Sequence, residues 1–160
     1  METAKTIEVK KAQEIVAKYN GERSSLIAVL QDVQDAYRYL PKDILAYISK
    51  ELFIPLTKIY EVATFYKSLS LTPQGEHKVK LCMGTACHVR GAAKILDKLE
   101  RDLELKPGQT SSDQKVTLIT VNCVGACALG PVMVLDNEYH GQVTFKKVDK
   151  LIGSLKKGAH

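Results

Sequence analysis

Four cysteines carry the chemistry open to this sequence: Cys82 and Cys87 in KVKLCMGTACHVRGA, and Cys123 and Cys127 in VNCVGACALGP. The full pattern is C-x4-C-x35-C-x3-C. Each pair stands where a strand-like run gives way to a loop. Two such loops at one end of a small sheet would bring the four thiols together. Structural disulfides belong to oxidising compartments. A redox dithiol wants C-x-x-C at a helix N-terminus. A single zinc ion favours C-x2-C on tight turns, because two nearby sulfurs must close on one tetrahedron. Gaps of four and three residues are wider than either of the last two arrangements prefers.

An iron–sulfur cluster accommodates wider gaps, since a 2Fe–2S rhomb is larger than one ion and each iron takes two cysteines. Apart from Met83, the residues inside the gaps are small or short: Gly84, Thr85 and Ala86 in the first, Val124, Gly125 and Ala126 in the second. Small side chains let backbone N–H groups approach the sulfurs and tune the centre. Cys87 is expected just before a helix, whose N-terminus favours negative charge, and His88, Arg90 and Lys94 add cationic groups nearby. With its thiolates, an oxidised cluster carries a charge of about −2. The competing reading is a binding module stapled by one zinc ion on the four cysteines, with no redox role.

The elements that must position these residues fall into two parts, 1–72 and 73–160. The first reads as a helical bundle. Ile7, Lys11, Ile15 and Tyr19 recur at helical spacing before the stop signal Asn20-Gly21. Ser24 or Ser25 can cap a second helix with Leu26, Leu30, Val33, Tyr37 and Leu40 on its apolar face. Pro41 suits the first turn of a third helix, with Ile44, Leu45, Ile48 and Leu52 inward. A fourth follows Pro55, with Leu56, Ile59, Tyr60, Ala63, Phe65 and Tyr66; its aromatic rings either fill the bundle or face a partner. LSLTPQGEH then reads as a linker.

The second part alternates: the strand HKVKLCM, a helix over 89–104, the strand KVTLITVNC, two short strands around Asp136-Asn137-Glu138, and a last helix capped by Thr144. The order β-α-β-β-β-α predicts an α/β layer with helices on a small sheet. Other polar residues carry less. His77, His140 and His160 read as surface or tail residues, His88 as a surface or outer-shell group, Glu61 and Asp136 as solvated or capping charges, and Pro131 as a loop former.

A length of 160 residues, 45% apolar and 26% charged, is ordinary for a globular protein with a real core. No apolar run is long enough for a membrane span, and METAKTIEVKK is not a signal peptide, so a cytoplasmic location is expected. The net charge is +5. Residues 1–72 hold ten Lys/Arg against nine Asp/Glu, and residues 73–160 thirteen against nine, so the excess lies with the cysteines. No basic stripe interleaved with aromatics suggests nucleic-acid binding. Neither G-x-G-x-x-G nor G-x-x-x-x-G-K-[ST] occurs, so no familiar nucleotide site is expected.

CMGTACHVRGA and NCVGACALGPVMV, with IYEVATFY upstream, resemble the thioredoxin-like 2Fe–2S ferredoxin subunits. That family includes the E subunit of NADH–quinone oxidoreductase and the small subunits of NAD(P)-linked hydrogenases and formate dehydrogenases. The resemblance covers nearly the whole chain. It implies a thioredoxin-like domain behind an N-terminal helical bundle that docks a partner. It also implies Cys82 and Cys87 on one iron, and Cys123 and Cys127 on the other. The chain would be a non-catalytic electron-transfer subunit. Its implied partners are a flavoprotein holding FMN and the NAD(P)(H) site, and a further iron–sulfur or hydrogenase-type subunit. GTAC followed by HVRGA looks nearer to the soluble, including electron-bifurcating, hydrogenase subunits, whereas GACALGP departs from the common Ala-Pro ending.

Overall fold

Apolar residues at helical spacing build the first of two compact units, Met1–Pro73, from α1 (Glu2–Lys18), α2 (Leu26–Tyr37), α3 (Lys42–Glu51) and α4 (Leu56–Phe65). This computed structural model describes residues 2–157, with side chains described for 9–153 and 155; Ile7 and His160 lie outside the described side chains. Leu30, Leu45, Ile48, Leu52 and Ile59 are fully buried in one core. Each such side chain contributes about 1.5–3 kcal/mol on leaving water.

Several local expectations are corrected here. Lys11 is exposed; α1 buries Ala12 and Val16, with Val9, Ile15 and Tyr19 packed beside them. The chain enters α2 through a 3-10 turn at Arg23–Ser25, and neither serine caps it: Ser25 makes no side-chain cap bond and Ser24 Oγ donates to Glu22. Arg38, in the left-handed region at φ 66, stops α2, so Leu40 is buried outside the helix. Pro41 sits at the N-cap of α3, one residue ahead of its first turn. In α4 only Ile59 and Ala63 are buried. Tyr60 packs at the core edge, while Phe65 is 79% exposed and stacks edge-on with the exposed Tyr66, ring centroids 5.1 Å apart.

The division between the units falls inside LSLTPQGEH, after Pro73, and both ends of that stretch are packed. Leu69 is buried, the Leu40 N–H donates to the Ser70 carbonyl at 2.8 Å, and the buried Gln34 amide bonds both Ser68 and Ser70. Gly75, buried in the second unit, donates to Thr117 Oγ1 at 2.7 Å. Backbone polar groups this far from water need such partners.

The second unit, Gln74–His160, runs β1 (His77–Cys82), α5 (Thr85–Val89), α6 (Ala92–Leu103), β2 (Val116–Val121), β3 (Met133–Leu135), β4 (Glu138–His140) and α7 (Phe145–Lys157). The strands stand in the order β2-β1-β3-β4. β1 and β2 are parallel, from His77 opposite Val116 to Cys82 opposite Val121, while β3 is antiparallel to both β1 and β4. A parallel pair requires a crossover, which α5 and α6 provide. Val79, Leu81, Leu99, Leu118, Met133 and Val148 share a core between the sheet and helices α6 and α7. Lys98 bridges Asp102 at 2.9 Å and Asp149 at 2.6 Å, tying those helices together at the surface. Thr144 does cap α7, its Oγ1 accepting from the Lys147 N–H at 3.4 Å. Among the described residues no helix is long and apolar enough to cross a membrane.

Candidate metal centre

Strand register brings the two cysteine loops to one end of the sheet. Cys82 is the last residue of β1 and stands opposite Val121, the last of the parallel strand β2. The Cys87 loop and the Cys123 loop therefore leave the sheet side by side. The second loop then re-enters through β3, whose Met133 pairs with Leu81 near the same end. The Cys82 N–H donates to the Val132 carbonyl at 3.0 Å and the Met83 N–H to the Val121 carbonyl at 2.8 Å, so the first loop is sewn to both neighbours.

Gly84 makes the closest approach. A Cβ there would lie 2.4 Å from the Asn122 carbonyl oxygen and 3.6 Å from Cys82 Sγ, so only glycine fits. Gly84 is also the N-cap of α5, and Cys87 lies inside that short helix, where the sequence led to a position just before a helix. Gly91, at φ 95, separates α5 from α6. Cys82 and Cys87 are each 2% exposed and share a small apolar cluster with Ala92 and Val132.

The second pair is built differently. Cys123 and Cys127 are exposed. The Gly125 N–H, at a left-handed turn with φ 80, donates to Cys123 Sγ at 3.3 Å. Cys127 opens a 3-10 turn, Cys127–Leu129, before the cis Gly130-Pro131 bond.

Electrostatics link the four sulfurs. Burial pushes the Cys87 thiol up, a hydrogen bond with Cys82 adds to this, and the fields of Cys82 and Cys127 act in the same direction; the Val132 backbone N–H opposes them. The Cys127 thiol is pushed up chiefly by its hydrogen bond and charge coupling with Cys123, and further by Cys82. The thiols thus act on one another: Cys87 feels Cys82 and Cys127, and Cys127 feels Cys123 and Cys82. Among the described residues, no group of three or more His, Cys, Asp or Glu side chains is set to hold one metal ion. Two adjacent thiol pairs lined by small residues are a donor set suited to two irons, two sulfurs each.

Of the cationic groups expected nearby, Arg90 reaches the second loop: its Nη1 donates to the Cys127 carbonyl at 2.8 Å and the Ala128 carbonyl at 3.0 Å. His88 and Lys94 are exposed and line, with Val89 and Phe145, an open groove of about 640 Å³ beside α5. The remaining polar candidates lie elsewhere. Glu61 pairs with Lys58 at the surface, and Asp136 caps the start of β1 by accepting from the Lys78 N–H and pairing with His77. Neither is arranged for acid–base work. The surface reading of His140 is corrected: its Nε2 is buried with no hydrogen-bond partner, 3.9 Å from Glu138. Sequence reasoning missed the Arg90 tie, for which HVRG holds no spacing signal, and Gly130, where a Cβ would sit 3.3 Å from both Cys87 Sγ and the Cys127 carbonyl.

Comparison with known proteins agrees with this geometry. The family model described as thioredoxin-like [2Fe-2S] ferredoxin matches residues 12–156. The NADP-reducing hydrogenase subunit HndA of Solidesulfovibrio fructosivorans is 32% identical over 127 residues, 79% of this chain and 74% of that one. The E subunit of the NADH-quinone oxidoreductase of Rickettsia conorii is 35% identical over 147 residues, 90% of this chain and 88% of that one. A solved NAD+-reducing [NiFe]-hydrogenase shares the fold with a TM-score of 0.74 at 21% identity, over 85% of this chain but only 23% of the hydrogenase chain. Relatives of this kind are subunits of oxidoreductase complexes. By a match that runs through both units and both cysteine loops, the chain belongs to the thioredoxin-like [2Fe-2S] ferredoxin family.

Proposed function

We propose that this chain is an electron-transfer subunit carrying one 2Fe–2S cluster, with Cys82 and Cys87 on one iron and Cys123 and Cys127 on the other. The observation that carries this reading is that the parallel register of β1 and β2 brings both cysteine loops to one end of the sheet, with Cys87 Sγ lying against the second loop at Gly130. When bound, the cluster supplies a one-electron donor and acceptor. The chain's own residues hold it: β1 and α5 bury one side, and the Gly125 N–H and the Arg90-braced turn shape the other.

A one-electron centre cannot take a hydride, so the electron pair from NAD(P)H must be split by a partner's FMN and passed on singly. The site sits best in a soluble NAD(P)-linked hydrogenase of bifurcating type, in the cytoplasm, beside a flavoprotein and a further iron–sulfur subunit. The hydrogenase-like GTAC-HVRGA loop and the similarity to HndA support this. The similarity to the E subunit of the Rickettsia conorii oxidoreductase, over 90% of the chain, supports a second reading, the quinone-reducing complex. The N-terminal unit serves docking, with the exposed Phe65 and Tyr66 as its apolar contacts.

Metal and sulfide analysis of the purified protein tests the reading. About two irons and two sulfides per chain are expected, with visible absorption that bleaches on uptake of one electron. A colourless protein holding one zinc ion would overturn it in favour of a stapled binding module. Native purification, with the co-purifying subunits identified, separates hydrogenase from quinone reductase.

A further inference from the structure

We infer that Arg90 is a positioning residue for the second cysteine pair, tying its turn to the first loop and keeping a cation on the backbone carbonyls of Cys127 and Ala128. The inference rests on the cluster reading above and assigns a role to a residue outside the cysteine set.

Chain geometry puts Arg90 where it can do this. It caps α5, three residues after Cys87, and Gly91 at φ 95 turns the backbone away immediately afterwards. The side chain is thereby released from α6 and crosses to the other loop. One nitrogen, Nη1, meets two carbonyls, those of Cys127 and Ala128, at 2.8 and 3.0 Å. These carbonyls belong to the 3-10 turn that begins with a ligand cysteine. Cations are favoured at carbonyls ending a helical turn, and charge-assisted bonds are stronger than neutral ones.

The stem of the side chain is placed as well. A Cβ on Gly130 would come within 3.4 Å of Arg90 Cδ and 3.3 Å of Cys87 Sγ. Gly130 therefore leaves room for the arginine stem and the first-pair sulfur against the second loop. At the near end of the loops, Gly84 packs on Asn122. Arg90 provides a crossing tie further along, where Cys127 is otherwise exposed.

Two consequences follow. The tie restrains the exposed pair, which lacks the packing that holds Cys82 and Cys87. The guanidinium also stabilises the more negative, reduced state of a cluster, raising its potential. Lysine would keep the charge, but its amine stands one bond nearer the backbone and falls short of the two carbonyls.

The test compares the full chain with Arg90→Gln and Arg90→Lys, using two readouts. Amide hydrogen exchange at Gly130, whose N–H donates to the Cys127 carbonyl, is read in the cluster-free protein. The midpoint potential is read by redox titration of the loaded protein. In Arg90→Gln, exchange should quicken by at least about threefold and the potential should move negative. Arg90→Lys should recover the potential while leaving exchange fast. If Arg90→Gln leaves either exchange or potential at the wild-type value, the inference is overturned. Should the wild-type chain hold zinc or no cluster, the reading under Proposed function fails instead, and the exchange rate alone decides the tie.

Discussion

The two cysteine pairs stand at the same end of the sheet but are made by different means. Cys82 and Cys87 are placed by regular structure: a strand end, a helical turn and a small apolar cluster leave each 2% exposed. Cys123 and Cys127 stand exposed on a loop, held by a left-handed glycine turn, a 3-10 turn and the reach of Arg90. One half is packed into the core, and the other is held by bonds to specific backbone groups. Loss of packing and loss of a tie should therefore have distinguishable consequences.

Ligand removal has the largest expected effect. Cys82→Ala and Cys127→Ala should each lose nearly all 2Fe–2S absorption after reconstitution, measured with iron content. The cluster-free forms separate the pairs. Cys82→Ala should cost about 1 kcal/mol by denaturant unfolding, because it empties buried volume. Cys127→Ala should leave the midpoint unchanged. A normal spectrum in Cys127→Ala would exclude that residue from the ligand set.

The glycines come next. Gly84→Ala forces a Cβ to 2.4 Å from a backbone carbonyl that cannot move aside. It should cost about 1–3 kcal/mol and lower the cluster yield. Gly130→Ala meets its neighbours at 3.3 Å and should cost about 1 kcal/mol or less. Equal losses in thermal or denaturant unfolding would contradict the tighter approach at Gly84.

Alkylation after cluster removal sharpens the contrast. Peptide mapping by mass spectrometry should show Cys123 and Cys127 modified roughly tenfold or more faster than Cys82 and Cys87, whose thiols react only when the fold opens. Uniform modification would mean that the first pair is not packed in the cluster-free state.

The smallest effect is on pH dependence. Burial and the neighbouring Cys82 hold the Cys87 thiol neutral to higher pH than a free cysteine. The folded-state value is raised, so the stability it contributes is fully present below the ordinary thiol value of about 8.5 and is lost as pH climbs beyond it. Denaturant midpoints of the cluster-free chain should fall across that range, and less so in Cys87→Ala. A midpoint that rises with pH would reverse the sign.

Much of this molecule was legible in its sequence. Helical periodicity marked the apolar faces of α3 and α7, since a buried stripe must repeat with the helix turn: Ile44, Leu45 and Ile48 are buried in α3, and Val148 and Ile152 in α7. The strand runs and the presence of a helix between the first two were equally plain. The offset of α1 from Lys11 to Ala12, and the exposure of Phe65, were not legible in this way. A single helix does not say which neighbour it meets, and an aromatic at a permissive position reads alike in a core and on a surface.

The cysteine types, their spacing and their small neighbours were determined by the sequence alone, because covalent chemistry and side-chain size are properties of residues taken singly or in short runs. That both loops leave the same end of the sheet was decided only by tertiary structure, through the parallel register that sets Cys82 opposite Val121. The same holds for the Gly84–Asn122 approach and the reach of Arg90 to Cys127, which link residues 38 and 37 positions apart. Long-range pairings depend on how strands align and on what the intervening chain packs against, and no local pattern encodes them.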